Sequence, residues 1–196
     1  MEEDVDEMKE EYDLEELLKR VRLREEHSFA YWRVVGNVGK ELVRALLEAC
    51  GYSVYPFGYE SYLTHIKDKM HCGKIERVPQ LQRMPDLLVV SEEMGHVVMV
   101  EVIVRTTKQP NDADIDKRKL EELIKFWPDS VLVVVLPKSD HVFYAEKITE
   151  LKITDPEFVN FDIGESPINK IFPNVDNYPE VLKELQELCK KLFSNI

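Results

Sequence analysis

Seven consecutive residues, Ser130-Val131-Leu132-Val133-Val134-Val135-Leu136, carry six apolar side chains, four of them valine. The run is too short for a core helix and does not alternate with polar residues, so it reads as a strand buried on both faces. Such a strand needs a covering layer on each side, and amphipathic helices are the layers on offer. One is expected over about 37–50, where Val38, Leu42, Ala45, Leu46 and Ala49 form a stripe and Gly51 supplies a stop. Another should start at the acids Asp112, Asp114 and Asp116, which can cap it, and end at Phe126 before Pro128, with Ile115, Leu120, Leu123 and Ile124 as its apolar side. Tyr52–Phe57 and Val142–Ile148 read as further strands. The combination predicts an α/β fold, a mixed central β-sheet flanked by helices.

Outside that core, a helix is expected over about 13–33, capped at Asp13 with Glu16 three residues on and punctuated by Gly36-Asn37. A C-terminal amphipathic helix should span about 179–194, with Pro179 in its first turn and Val181, Leu182, Leu185, Leu188, Leu192 and Phe193 on its apolar face. The expected organisation is an acidic tail over 1–12, then a single domain over 13–196 whose core covers about 36–148. Residues 1–16 hold ten acids and one lysine, nine of the twelve net negative charges; the other 180 residues carry only three. The overall charge therefore does not exclude a nucleic-acid partner, because most of it sits in one solvated block. No stretch of about eighteen apolar residues is present to span a membrane. The N-terminus is acidic, which does not fit a secretory signal. Three scattered cysteines (Cys50, Cys72, Cys189) form no paired framework and point to a reducing, cytoplasmic setting. Charged residues reach 33%, a composition that resembles that of thermophile proteins.

The chemistry lies in two acid-edged apolar runs. Asp86 stands at the head of Leu87-Leu88-Val89-Val90, and Glu101 lies fifteen residues on, inside Val100-Glu101-Val102-Ile103-Val104-Arg105. A carboxylate at a buried strand costs free energy unless something pairs with it. The polar, glycine-containing stretch Ser91–Gly95 is long enough for a loop and too short for a helix, so the two runs should form an antiparallel hairpin. That hairpin carries Asp86 and Glu101 to the same end, where two carboxylates in a dry place suit a divalent cation. Glu41, on the stripe of the 37–50 helix, could be a third acid or simply a partner of Arg44. His65, His71 and Cys72 fit no common zinc template, and Trp32 and Trp127 read as core anchors.

The order helix, strand, strand hairpin, helix, strand, with acids at 41, 86 and 101, resembles the restriction-endonuclease-like superfamily, whose motif is PD-(D/E)XK. The resemblance covers roughly residues 36–136 and implies an αβββαβ core with extra N- and C-terminal helices. It implies Mg²⁺ or Mn²⁺ held by Asp86, Glu101 and the backbone carbonyl of Val102, with Glu41 joining them. It also implies metal-dependent phosphodiester hydrolysis of DNA. The chain departs from the motif at one place: the lysine should fall at 103, where Ile103 stands. Arg105, on the same strand face by the period of two, is one substitute, and Lys117, Arg118 and Lys119 on the following helix are others. Restoring a lysine at 103 would be expected to speed a slow enzyme. Lys67, Lys69, Lys74, Arg77 and Arg83, gathered in 58–83 with Tyr59 and Tyr62, are the remaining candidates for nucleic-acid contact. Two other readings compete. One is a catalytically inactive module on the same fold that binds nucleic acid or a protein. The other is an assembly subunit, forming a homodimer or meeting a protein partner through the C-terminal helix.

Overall fold

The computed structural model describes residues 31–58, 80, 83–92, 95–106, 114–151, 158–160 and 167–194. The tail over 1–12 and most of the first expected helix lie outside them. The chain divides into two compact units, residues 1–38 and 39–196. In the first, residues 31–38 are helical, and the rings of Tyr31 and Trp32 meet edge to face with centroids 5.4 Å apart. Trp32 is 51% exposed, so it is not the core anchor expected of it.

The helix runs without a break over 31–49 (α1), straight through Gly36-Asn37, where two helices were expected. A glycine inside a helix costs about 1 kcal/mol relative to alanine, which the burial of Val43, Leu46 and Leu47 further along α1 readily outweighs. The stop does fall where expected. Gly51 has φ of 85°, the Tyr52 N–H donates to Leu47 O at 3.0 Å, and the Gly51 N–H donates to Glu48 O at 3.1 Å. Both bonds of a Schellman cap are present, in a backbone conformation that suits glycine.

From residue 39 onward the second unit builds a five-stranded sheet. Strand β1 is Ser53–Pro56, β2 Leu87–Ser91 and β3 His96–Val104. Then come a short β4 (Asp114–Asp116), helix α2 (Lys117–Phe126), β5 (Val131–Val135) and β6 (Phe143–Lys147). The sheet order is β1-β2-β3-β5-β6, antiparallel except for the β3–β5 pair, which is parallel as a crossover through α2 requires. The fold is thus α/β with a mixed sheet, and α1-β1-β2-β3-α2-β5 is the αβββαβ order that the resemblance implied. One correction concerns the acids at 114–116. Their backbone forms β4, which pairs with β7 (Phe158–Asn160). The helix starts only at Lys117, with no acid in its first turn.

Both faces of the central strands are covered, as the valine run demanded. On one side Gly39 of α1 sits against Val104 and Val135; a methyl group on Gly39 would come within 2.1 Å of the Val104 Cγ2. On the other side Ile103, Leu132, Val134 and Tyr144 pack with Leu120 and Leu123 of α2. Trp127 closes that cluster, edge to face with Phe57 at 5.7 Å. Two 3-10 turns, Ile168–Lys170 and Pro173–Asn177, lead to α3 (Pro179–Leu192), the expected C-terminal helix. Residue Pro167 forms an isolated bridge to Tyr144 on the outer side of β6. No helix among the described residues is long and apolar enough to cross a membrane.

Candidate active site

The hairpin forms in the register that brings the acids together. Leu87 pairs with Val100, so one step further Asp86 lies opposite Glu101. The Asp86 backbone is pinned from the other side, because its carbonyl accepts the N–H groups of Phe57 at 2.8 Å and Gly58 at 3.2 Å. Its side chain turns to β3, where Oδ2 accepts the Val102 N–H at 3.0 Å. In a strand the N–H and C=O of one residue point toward the same neighbour. The Val102 carbonyl therefore faces the Asp86 side too, as a carbonyl ligand must.

Glu101 is deeply buried, its side chain only 8% exposed. Burial, and after it the nearby Asp86 carboxylate, push its carboxyl above the ordinary glutamate range. Lys119 and, more weakly, Lys40 pull it back. Two ammonium groups thus offset two carboxylates. Lys119 Nζ stands 2.5 Å from Glu101 Oε1, and Lys40 Nζ stands 2.6 Å from Asp86 Oδ1. The lysines come from opposite faces of the sheet, Lys119 from α2 and Lys40 from α1. Their pairing is a physical necessity once the acids are fixed, since an uncompensated buried carboxylate costs several kcal/mol.

Ile103 cannot host a cation. It lies on the same face as Glu101, but α2 covers it, and it belongs to the apolar cluster beneath Leu120 and Leu123. The same helix that fills the lysine's place with hydrocarbon returns an ammonium from its first turn. Of the three basic residues there, Lys117 faces Glu121 at 4.0 Å and Arg118 faces Glu122 at 3.6 Å, with Arg118 83% exposed; only Lys119 meets a site acid.

Glu41 requires correction. It is 72% exposed on α1 and lies 3.7 Å from Arg44, so it does not join Asp86 and Glu101. Successive helical residues are rotated by about 100°, and the position that faces the acids is 40. Among the described residues no three His, Cys, Asp or Glu side chains gather as a metal-binding group. Any metal here would rely on two carboxylates, the Val102 carbonyl and water. Hard oxygen donors of that kind fit Mg²⁺, which keeps several waters. Arg105 follows the end of β3; its N–H donates to Val135 O, and its guanidinium donates to the Val104 carbonyl at 3.2 Å. Arg83 is committed to an ion pair with Glu122. Lys67, Lys69, Lys74 and Arg77, like His65, His71 and Cys72, lie outside the described residues. Sequence reasoning missed Lys40, because it searched α1 for an acid to bind metal and not for a cation to hold Asp86.

No family model matches this sequence, and no curated protein matches it. Among solved structures, the chain is similar to Hjc, a Holliday junction resolvase from Archaeoglobus fulgidus, with a TM-score of 0.46 and 13% identity, covering 69% of this chain and 93% of that one. At that level of similarity it bears on neither the site nor the reaction.

Proposed function

We propose that the protein is a divalent-metal-dependent phosphodiesterase of the PD-(D/E)XK type, acting on DNA, with Asp86 and Glu101 as its metal carboxylates and Lys119 in the role of the missing motif lysine. The observation that carries this reading is the Lys119–Glu101 contact. A cation from α2 reaches the second acid in a chain whose motif position is sealed by Ile103.

Bound Mg²⁺ or Mn²⁺ would neutralise phosphate charge and make water a stronger nucleophile at neutral pH. The chain's own groups do the rest. The Val102 N–H orients the Asp86 carboxylate, and its carbonyl offers a third oxygen on the same side. Lys119, about one-third exposed, is anchored by Glu101 yet open to solvent, so it can donate toward a phosphoryl oxygen as charge builds there. The Ile103–Leu120–Leu123 cluster keeps water from the far side of Glu101 and strengthens both interactions.

Cleavage of supercoiled plasmid and of labelled oligonucleotides, with Mg²⁺, with Mn²⁺ and with a chelator, tests the reading, with Asp86→Ala and Lys119→Met as controls. Metal-dependent cleavage lost in Asp86→Ala and strongly slowed in Lys119→Met is expected. The Lys40–Asp86 pair favours a second reading, an inactive nuclease-fold module, since both acids have counter-ions before any metal arrives. DNA binding with no cleavage in any metal would select it.

A further inference from the structure

We propose that Lys40 is the resident counter-ion of Asp86 and that it competes with the metal for one oxygen, so metal entry requires its displacement. The inference rests on the metal reading above and adds a control on that site.

The two oxygens of Asp86 are not equivalent. Oδ2 is held by the Val102 N–H at 3.0 Å, a bond fixed by strand pairing. Oδ1 faces Lys40 Nζ at 2.6 Å. The oxygen free of the backbone is the one Lys40 holds, so a cation ligated through Oδ1 competes with that ammonium directly. Lys40 sits on α1 next to Gly39, with 35% of its side chain exposed. It can swing to solvent without uncovering the core. Asp86 cannot follow, since its side chain is only 13% exposed and its backbone is pinned by Phe57 and Gly58.

The arrangement explains how two neighbouring carboxylates persist without metal. Lys40 replaces the cation electrostatically and leaves when a stronger one arrives. A divalent ion brings twice the charge, and the displaced ammonium is returned to water, so the exchange has no uncompensated state.

The test uses the full chain and Mn²⁺ alone, with affinity read by electron paramagnetic resonance and stability by melting temperature in a chelator. Lys40→Met keeps the length and helix preference of the side chain and removes the charge. It should bind Mn²⁺ about tenfold or more tightly, the effect of removing one competing charge at a partly buried site. Its metal-free melting temperature should fall by about 4–8 °C, as Asp86 loses its partner, and Mn²⁺ should restore it. Lys40→Arg keeps the charge and should stay near the parent in both measurements. Equal Mn²⁺ affinity in parent and Lys40→Met, with the ion bound by both, would overturn the Lys40 proposal and leave the metal reading intact. An unchanged metal-free melting temperature would overturn it as well. Absence of Mn²⁺ binding in both proteins would overturn the metal reading and this proposal with it.

Discussion

On the proposed reading Lys119 takes the part of the motif lysine while Ile103 packs in its place, and substitution separates their contributions. Lys119→Met should slow metal-dependent cleavage by about 10²–10³, the usual effect of losing one well-placed donor. It should also destabilise the metal-free protein by roughly 1–3 kcal/mol, less than a fully buried pair would, because Lys119 is about one-third exposed. Ile103→Lys was expected from the motif to raise activity. The packing reverses that expectation: a lysine at 103 would push an ammonium among Leu120, Leu123 and Val134 and should cost about 3 kcal/mol or more, with no gain in rate. Paired melting and cleavage measurements on that variant decide the point. The thiols make a separate case. Burial pushes Cys189 up to about 12 and raises Cys50 as well, so neither holds appreciable thiolate near neutrality. Ellman's reagent at pH 8 should leave both unreacted in the folded protein, judged on a Cys72→Ser background, and should react with both after denaturation.

Helix α1 shows where pattern reading succeeds and where it stops. Its apolar stripe and glycine stop are visible because both follow from the helical period and from left-handed backbone at Gly51. The phase of its polar residues is not visible. Glu41 and Lys40 are neighbours in sequence and about 100° apart on the helix, and only the seating of α1 against β3 decides which one meets Asp86. Gly39 sets that seating by letting α1 approach Val104 and Val135 closely. Gly39→Ala would place a methyl group 2.1 Å from the Val104 side chain, so α1 or the strand must move. The expected loss is about 1–3 kcal/mol by thermal or urea unfolding, with weaker retention of the Lys40–Asp86 pair. Strand β4 escaped the sequence reading for a different reason. Three residues containing two aspartates look like a helix cap locally, and only pairing with Phe158–Asn160, far away in sequence, makes them a strand.

Across the whole molecule, the fold was the most legible property, because a strand buried on both faces and an acid-edged hairpin leave few arrangements open. The acids Asp86 and Glu101 were legible for the same reason, since period two and a short loop fix their end of the hairpin. The counter-ions were not, since lysine partners arrive from elements whose rotation the sequence does not set. Charge distribution bears on the DNA reading. Removing residues 1–12 takes away much of the acidic block and should strengthen DNA binding at low salt, with the gain fading as salt rises. Fluorescence anisotropy at two salt concentrations measures this, and unchanged affinity would make the segment a bystander.

Among the described residues, strand β1 lies at one border of the sheet and ends in Pro56. The Phe57 N–H turns inward to Asp86, so the alternation of the strand points the place of the absent Pro56 N–H outward. Pro167 stands beyond the opposite border, bridged to Tyr144. Each rim therefore carries an imino acid where another chain would seek a donor, which guards the sheet against growing by accretion. Pro56→Val would restore that donor on a rim where Tyr55 is already half exposed, and concentration-dependent oligomers in light scattering are the expected result.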